Sequence, residues 1–401
     1  MKKITVPYGS TVHGEEEIQA VVNVLKTSTQ MGKNVKKFES QVANLFGKKY
    51  GVMVNSGTSA LLLAIEILEI EPGSEVITPS CTFGTTVGSI LKNGLIPSYV
   101  DVEEGTYCID VDKIEPLITE KTKAMVVPNL LGNIAKWDKI KNLAKKYNLK
   151  LIEDSADTIG GQYQGKKTGE FSDISICSFY GSHVINCAGN GGILCMDDKT
   201  LHKNALLLRS WGRSSSLFDP NSSEETENRF NVELDGVSYD SKFLFTKVGY
   251  QLEPSEMGAA FGLVQLKKLS SNIKKREDIF LKHINFFENY RRFFILPLQT
   301  ENSITGWLAF PLMVKDTAPF SRKEFMTFLE KNNIQTRVVM AGNIIRQPGF
   351  KDQPMKRLDL INYAVSDKIL KGGILIGCHH GLADDQVNHI YDVCMKFLDK
   401  Y

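Results

Sequence analysis

Short apolar stretches alternate with helical patterns through the first part of the chain, and this alternation constrains the fold more than any other feature. Stretches of the length of buried strands lie at 51–54, 75–78, 97–102, 123–128 and 150–154, and helical spacing of apolar residues separates several of them. Strands that alternate with helices predict an α/β fold with a mostly parallel sheet covered by helices on both faces. Such sheets bind ligands at the carboxyl ends of their strands, so the turns after the strands are the candidate functional regions.

The rest of the chain continues this pattern and then changes character. Two short strands flank a glycine-rich loop, and a polar excursion at 213–242 follows. A helix at 255–269 leads into a second, charged helix at 274–290, and beyond it shorter strands and helices predict an α+β unit. We therefore expect a large domain of residues 1–274, whose N-terminal segment can also pack on the smaller unit, and a small C-terminal domain of residues 275–401.

Composition argues against several classes of function. The chain has 48 basic and 46 acidic residues, a net charge of +2, and no long block of one sign, so no extended face for nucleic acid or a membrane surface is predicted. No apolar run has the length of a membrane span or of a signal peptide core. The seven cysteines form no C-x-x-C pair, which favours a reducing, cytoplasmic location.

Two strand ends carry candidate ligand-binding groups. The turn Asn55–Ala60 brings backbone N–H groups and hydroxyl groups to a helix N-terminus, as a phosphate requires. The alternative is a well-capped helix whose hydroxyls serve only the backbone. Asp154 ends a strand, where its carboxylate could pair with a protonated ring nitrogen of a cofactor or cap the next turn. Both interpretations stay open for both features.

His183 lies in a loop of glycine and small residues, five positions after Ser178. If the strand before this loop neighbours the strand that ends at Asp154, the imidazole lies near that carboxylate. Imidazole titrates near neutrality, which suits a general acid and base. A structural or solvated histidine is the alternative for such a residue taken alone.

Three further patterns predict structure rather than chemistry. The segment 160–168 nearly matches a nucleotide-binding loop, but Lys167 stands where a hydroxyl residue is needed, so a hairpin turn is predicted. Cys187 and Cys195 are interpreted as small buried residues. The Cys-His-His run at 378–380 lacks zinc spacing and is expected to form a loop before a helix. No metal site is predicted.

An ordered set of motifs resembles the DegT/DnrJ/EryC1/StrS sugar aminotransferase family over nearly the whole chain. The motifs are Asn55-Ser-Gly-Thr-Ser-Ala, Thr78-Pro-Ser-Cys-Thr-Phe, Glu153-Asp154, Ser178-Phe-Tyr, Gly189-Asn-Gly-Gly and Gly249-Tyr-Gln-Leu-Glu-Pro-Ser-Glu-Met-Gly-Ala-Ala. The resemblance implies the fold-type I architecture of pyridoxal-phosphate enzymes, with a large mixed, mostly parallel sheet and a smaller C-terminal α+β domain. It also implies a homodimer with shared active sites.

The resemblance assigns roles in cofactor binding. Gly57, Thr58 and Ser178 would hold the cofactor phosphate. Phe83 would stack on the pyridine ring, and Asp154 would pair with the ring nitrogen.

His183 aligns with the lysine that the family bonds covalently to its cofactor. This replacement resembles the 3-dehydratase branch, which acts on nucleotide-linked 4-keto-6-deoxyhexoses with pyridoxamine phosphate. Asp157, at a position where aminotransferases commonly carry glutamine, also resembles this branch. Gln251 takes the position of an asparagine that reaches the cofactor phosphate of the neighbouring subunit. Segments at 210–213 and 336–348 also resemble the branch, and the predicted substrate-binding residues are Trp211, Arg213, Arg337, Asn343 and Arg346. Arg337 and Arg346 could bind a diphosphate through their guanidinium groups. The alternative for each is an ion pair at the surface.

Within that branch the chain is similar to the cluster-free GDP-4-keto-6-deoxymannose 3-dehydratases, which regenerate the amine from L-glutamate. Members with an iron–sulfur cluster have cysteines after the Trp-Gly-Arg motif, and residues 213–229 contain none. The resemblance thus implies a lyase of deoxysugar biosynthesis, as for lipopolysaccharide O-antigens, with His183 as acid and base. The alternatives are a nucleotide-sugar aminotransferase without the usual lysine and a catalytically silent relative that binds nucleotide sugars.

Overall fold

The structure is a computed structural model that describes residues 4–218, 229–230 and 232–401, without the side chains of 360 and 361. The helices are α1 (Glu15–Leu25), α2 (Lys33–Leu45), α3 (Gly57–Glu66), α4 (Gly84–Lys92), α5 (Trp137–Tyr147), α6 (Lys199–Arg209), α7 (Glu256–Phe287), α8 (Arg322–Lys331), α9 (Ala364–Gly372) and α10 (Asp384–Leu398). The strands are β1 (Tyr50–Val54), β2 (Glu75–Pro79), β3 (Ile96–Val100), β4 (Thr122–Pro128), β5 (Lys150–Asp154), β6 (Gln162–Tyr163), β7 (Lys166–Lys167), β8 (Ile174–Ser178), β9 (Gly192–Met196), β10 (Val232–Leu234), β11 (Val237–Tyr239), β12 (Phe294–Ile295), β13 (Ser303–Ile304), β14 (Ala309–Val314) and β15 (Gly373–Gly377). Within these described residues, no helix combines the length and apolar content needed to cross a membrane.

A seven-stranded sheet of order β1-β9-β8-β5-β4-β2-β3 forms the centre of the N-terminal part. Four neighbouring pairs, from β8 to β3, are parallel, and β9 alone runs antiparallel to its neighbours β1 and β8. The predicted α/β fold with a mostly parallel sheet is confirmed. Since β5 and β8 are adjacent and parallel, with Asp154 opposite Ile176, the turns after these two strands meet at one edge of the sheet.

Both faces of the main sheet are buried, which explains why its strands are apolar at successive positions. Along β1, Val52 and Val54 face the cluster that includes residues of α3 and α6, whereas Met53 faces the cluster that includes α2. Successive side chains of a strand point to opposite faces, so helices must cover both sides. Each fully buried side chain of this size stabilises the fold by about 1.5–3 kcal/mol.

A three-stranded antiparallel sheet of order β12-β14-β15 forms the centre of the C-terminal part. Its core includes Phe287 at the end of α7 and Phe310 of β14. The N-terminal segment joins this core, because the Val6 N–H donates to the Asn333 carbonyl (2.8 Å) and the Val6 carbonyl accepts from the Gln335 N–H (2.9 Å). The residues just after Val6 are therefore held by C-terminal elements.

The structure differs from the sequence predictions at two helices. The helices expected at 255–269 and 274–290 form one continuous helix, α7, because no proline interrupts it and its buried face passes without a break from Leu269, in a main-sheet cluster, to Ile279, in the C-terminal core. The predicted domain boundary at 274 falls inside α7 and stays a prediction. Helix α6 was not predicted, although Asp198 signals its start by accepting from two first-turn N–H groups.

A carboxylate from α7 caps α2. Glu256 is buried and accepts from the N–H groups of Gly32 (2.8 Å), Asn34 (2.7 Å) and Val35 (3.2 Å). These N–H groups have no acceptor within the helix, and Gly32, at the N-cap, has no side chain to supply one. We expect Glu256→Ala to destabilise the protein by about 2–3 kcal/mol, because it leaves several buried donors unpaired.

The measurement is the midpoint of urea unfolding, with Glu277→Ala on the exposed face of the same helix as control. The carboxylate of Glu277 pairs with Lys274 at the surface (3.3 Å), where an ion pair contributes about 0–1 kcal/mol. Equal midpoints for the two variants would contradict the capping role of Glu256.

Candidate active site

A cavity of about 460 Å³ opens at the carboxyl edge of the main sheet. Its walls come from the turns after β1, β2, β4, β5 and β8, and from Tyr8, Leu308 and Met340 of more distant segments. The predicted site residues that line it are Gly57, Thr58, Phe83, Asp154, Asp157, Ser178 and His183. Residues from separate turns of the sequence thus share one cavity.

The start of α3 forms one wall of the cavity. The Ser56 hydroxyl accepts from the Ser59 N–H (3.1 Å), and the Ser59 hydroxyl donates to Asn55 Oδ1 (2.6 Å), so the capping interpretation holds for these side chains. A Cβ on Gly57 would lie 2.6 Å from the Cβ of Ser178, so only glycine lets the helix start against the end of β8. Other N–H groups of the first turn have no acceptor within the helix, which leaves them for an anion beside Ser178.

Asp154 presents a buried carboxylate at the end of β5. Its Oδ1 accepts from the Ala156 N–H (3.2 Å), as the turn-cap interpretation predicts, and its Oδ2 accepts from the Thr86 hydroxyl (2.9 Å). Burial raises the pKa of Asp154 to about 6, in spite of these hydrogen bonds. No cation of the described residues pairs with this carboxylate, so a protonated nitrogen of a ligand would satisfy it.

His183 presents one free ring nitrogen near the same wall. Its Nδ1 lies 3.0 Å from the Ser178 carbonyl oxygen, which can only accept, so Nδ1 carries the proton of the neutral ring and Nε2 does not. Nε2 lies 3.9 Å from Oδ1 of Asp157. Burial, together with the charge of Arg276, lowers the pKa of His183 to about 4. At neutral pH the imidazole is therefore a base with Nε2 available.

Asp157 is held by a strained backbone turn. Its Oδ2 accepts from the Leu131 N–H (3.0 Å), and Leu131 has the left-handed conformation (φ 60°, ψ 13°), which costs an L-residue about 1–2 kcal/mol. The Leu131 carbonyl accepts from the Leu308 N–H (2.8 Å), which connects this turn to the C-terminal part. Burial raises the pKa of Asp157 to about 6, so the carboxylate forms above that pH.

Sequence reasoning missed several residues of the cavity wall. Tyr180 lies in the Ser178-Phe-Tyr motif, with its ring centroid 6.1 Å from that of His183, and Met340 lies in the 336–348 segment. Both motifs were visible in the sequence. Tyr8 and Leu308 gave no such signal, because only the packing of the N-terminal and C-terminal segments brings them to the cavity.

Six predicted residues lie outside the cavity lining in the single chain: Gln251, Trp211, Arg213, Arg337, Asn343 and Arg346. Gln251 is exposed, and its backbone pairs with that of Ser210. The Arg213 guanidinium lies 4.3 Å from the ring centroid of Trp211. Arg337 is exposed, and its guanidinium carbon lies 5.4 Å from the ring centroid of Tyr8, which lines the cavity.

The last two predicted substrate residues bind the same aspartate. Arg346 makes two hydrogen bonds to Asp367, each 2.5 Å long, as its ion-pair interpretation predicts. Asn343 is buried, and it donates to Asp367 (2.8 Å) and accepts from the Ile345 N–H (3.1 Å). In the single chain both side chains thus serve local structure, and their roles in substrate binding stay predictions.

The hairpin, the two cysteines and the Cys-His-His run that were interpreted as structural elements are structural in the fold. Strands β6 and β7 form the hairpin predicted at 160–168, and Cys187 and Cys195 are buried free thiols. Residues 378–380 form a buried connection between β15 and α10. Among the described residues, no group of three or more His, Cys, Asp or Glu side chains has the arrangement of a metal site.

The cavity brings together the start of α3, the carboxylate of Asp154 and the imidazole of His183. An anion fits between the start of α3 and Ser178, and a protonated ring nitrogen fits Asp154. His183 can take up and return a proton. Among the cavity-lining residues that the structure describes, none is a lysine, so no side-chain amine is present to bond covalently to an aldehyde.

Comparison with known proteins identifies close relatives. The sequence profile of the DegT/DnrJ/EryC1/StrS aminotransferase family matches residues 11–394. The chain is 32% identical to a dTDP-4-dehydro-2,6-dideoxy-D-glucose 3-dehydratase of Saccharopolyspora spinosa, over 98% of this chain and 86% of that protein. It is also 34% identical to a GDP-perosamine synthase of Escherichia coli O157:H7, over 99% of each chain.

Solved structures have the same fold. An E. coli GDP-4-keto-6-deoxy-D-mannose-3-dehydratase with bound hydrated PLP superposes with a TM-score of 0.88, at 27% identity, over 98% of this chain and 99% of that one. Another GDP-4-keto-6-deoxymannose-3-dehydratase structure, with a trapped PLP-glutamate geminal diamine, has a TM-score of 0.86 at 27% identity, over 97% and 99%. The predicted fold-type I architecture is confirmed.

Proposed function

Because the chain belongs to the DegT/DnrJ/EryC1/StrS aminotransferase family, we propose that it is a pyridoxamine phosphate-dependent 3-dehydratase. As a lyase it removes the C3 hydroxyl group of a nucleotide-linked 4-keto-6-deoxyhexose. L-Glutamate restores the amine of the cofactor, and no iron–sulfur cluster takes part. The reaction belongs to deoxysugar biosynthesis, such as that of lipopolysaccharide O-antigens. The free, buried cysteines suit the cytoplasm as its location.

The observation that carries this proposal is the imidazole of His183 in a cavity whose described lining contains no lysine. An aminotransferase of this family uses a lysine to hold its cofactor covalently, and an imidazole cannot form that bond. A free cofactor amine and a neutral base are what a dehydratase needs. The names of the 3-dehydratase relatives point to the same reaction and to nucleotide-linked keto sugars as its substrates.

The residues of the cavity fit pyridoxamine phosphate. Gly57, Thr58 and Ser178 would hold its phosphate. Because Gly57 has no side chain, the start of α3 lies close to Ser178, and a helix N-terminus attracts anions. The carboxylate of Asp154, which pairs with no cation of the described residues, would hold the ring nitrogen. The side chain of Phe83, which is 58% exposed, would stack on the ring. When bound, the cofactor supplies an amine for the C4 ketone of the sugar and a ring that accepts electrons.

His183 would move the protons of the reaction. With Nδ1 engaged by the Ser178 carbonyl, Nε2 is the atom that takes up a proton inside the cavity and delivers it to the departing C3 oxygen. Asp157, 3.9 Å away, would stabilise the protonated ring between these two transfers. Asp154, ionised above a pH of about 6, keeps the ring nitrogen of the cofactor protonated.

A homodimer completes the proposed site. The excursion between α6 and α7 exposes several large apolar side chains, and exposed apolar surface of this kind marks interfaces. These side chains include Phe230, Val237, Phe243, Phe245 and Val248. Gln251 follows them directly and is exposed, which leaves it free to reach the site of the partner subunit.

Product analysis tests the proposal. The purified protein is incubated with pyridoxal phosphate and L-glutamate, and then with GDP-, CDP- and dTDP-linked 4-keto-6-deoxyhexoses, and products are identified by mass spectrometry. We expect one of these substrates to lose its C3 oxygen without gaining nitrogen. Borohydride reduction of the loaded protein should give no covalent cofactor–lysine adduct in the cavity.

A nucleotide-sugar aminotransferase is the second candidate, because the GDP-perosamine synthase relative matches the chain over its full length. An amino sugar product would establish it and reject the dehydratase. Substrate binding without any turnover would instead indicate a catalytically silent nucleotide-sugar-binding relative.

A further inference from the structure

Arg276 of α7 is a fully buried cation directly behind the cavity. Its side chain donates to main-chain carbonyls on two sides: Nη1 to Trp307 (2.9 Å) and Leu308 (3.1 Å), and Nη2 to Ser182 (3.3 Å). Leu308 lines the cavity, and Ser182 precedes His183. One guanidinium therefore connects the loop that contains His183 to Leu308 of the cavity lining.

The acceptors around Arg276 are all neutral. The fourth, Nδ1 of His380, accepts from Nε (3.2 Å) and must be unprotonated to do so. Within the described part of the chain, no carboxylate lies within ion-pair distance of the guanidinium. Asp157, beyond ion-pair distance, offsets part of this charge. Because the guanidinium is buried, its field acts on nearby groups with little screening.

We propose that Arg276 is a positioning residue for His183. The hydrogen bonds of Arg276 fix the loop at Ser182, and its buried positive charge opposes protonation of the imidazole. The inference rests on the proposed function only for the use that the reaction makes of His183. Its geometry is independent of any cofactor.

The charged groups around the imidazole of His183 have opposite effects on its protonation. Asp157, after β5, favours the protonated ring, while Arg276, on α7, disfavours it. Tyr180 lies on the same loop as His183. Burial raises the pKa of Tyr8, on the N-terminal segment, well above its usual value, so this side chain stays neutral. The charge of Arg276 contributes to the low pKa of His183, after burial, and also lowers the pKa of His380.

The test is an NMR titration of the cofactor-free protein labelled with ¹³C-histidine, in which the His183 signal is the one lost in His183→Asn. In the wild type we expect this ring to stay neutral down to a pH of about 5. Arg276→Met removes the charge, and its His183 midpoint should rise by about one pH unit or more. Arg276→Lys keeps the charge but loses the planar fork, and its midpoint should stay close to that of the wild type.

A matched control is Arg209→Met. Arg209 is also buried and bonded to a main-chain carbonyl, that of Met53 (2.9 Å), but it pairs with Glu39 away from the cavity, so the His183 midpoint should not move.

Equal midpoints in Arg276→Met and the wild type would overturn the proposal, as would equal rises in the Met and Lys variants. If neither Arg276 variant folds, a wild-type midpoint at or above the ordinary histidine value of about 6.5 overturns it. Product formation plays no part in these readouts, so failure of the proposed reaction would be seen separately.

Discussion

His183→Asn should lower the rate of 3-deoxy sugar formation by about 10²–10⁴-fold, the usual contribution of a positioned acid–base group. Asparagine is close to imidazole in size and can still donate to the Ser178 carbonyl, now 3.0 Å from Nδ1, so the loop should keep its shape. It has no atom that can take up the proton held by Nε2. Cofactor affinity, measured by absorbance titration, should therefore stay within a few-fold of that of the wild type while turnover is lost.

His202→Asn is the control for this experiment. The ring of His202 stacks on Tyr50 at the surface of the main sheet (4.6 Å between centroids), so its loss should leave turnover unchanged. His183→Lys should supply the missing amine, and borohydride reduction should then give a covalent cofactor–lysine adduct together with loss of dehydration. Dehydration that persists in either His183 variant would remove this residue from the mechanism.

Asp154→Asn should lower turnover by about 10²–10³-fold, the scale seen when one preorganised electrostatic group is removed from an active site. The amide keeps the shape of the carboxylate: its oxygen can still accept from the Ala156 N–H (3.2 Å in the wild type), and its NH2 group, in the place of Oδ2, can donate to the Thr86 hydroxyl oxygen (2.9 Å). It cannot hold a protonated ring nitrogen. Since burial raises the pKa of Asp154 to about 6, the wild-type carboxylate is lost as the pH falls through that value, and cofactor binding should weaken below it.

The pH dependence separates Asp154 from a purely structural role. In Asp154→Asn, binding of pyridoxamine phosphate should be weak at pH 8, where the wild-type carboxylate is fully ionised. Asp138→Asn is the control, because Asp138 accepts from Tyr163 (2.7 Å) outside the cavity and should bind the cofactor normally. Wild-type affinity and turnover in Asp154→Asn would show that this carboxylate does not hold the ring.

The sequence predicted the part of the site that depends on the main sheet. The turn at Gly57 and the carboxylate of Asp154 were candidate ligand groups because each follows a predicted strand. The family resemblance added Ser178, and the structure brings all three residues to one cavity. His183 followed from its position in the loop after β8. These are local features, each fixed by a strand and the few residues after it.

The rest of the site depends on long-range packing that no local pattern shows. Tyr8 and Leu308 reach the cavity only because the N-terminal segment and the C-terminal part of the chain pack against it. The role of Arg276 depends on carbonyl groups of Ser182 and Leu308, and backbone acceptors leave no mark in the sequence. The same holds for Leu131, whose left-handed backbone gives Asp157 its hydrogen bond although leucine does not favour that conformation.

The continuity of α7 also limits how the enzyme can move. Its 32 residues span about 48 Å. This one helix contains Leu269, which packs in a main-sheet cluster, Arg276 behind the cavity, and Ile279 in the C-terminal core. A hinge between the two halves of the chain would have to bend this helix and break the bonds of Arg276. We therefore expect the two halves to keep their arrangement and substrate to enter and leave through smaller movements of the segments at the mouth of the cavity.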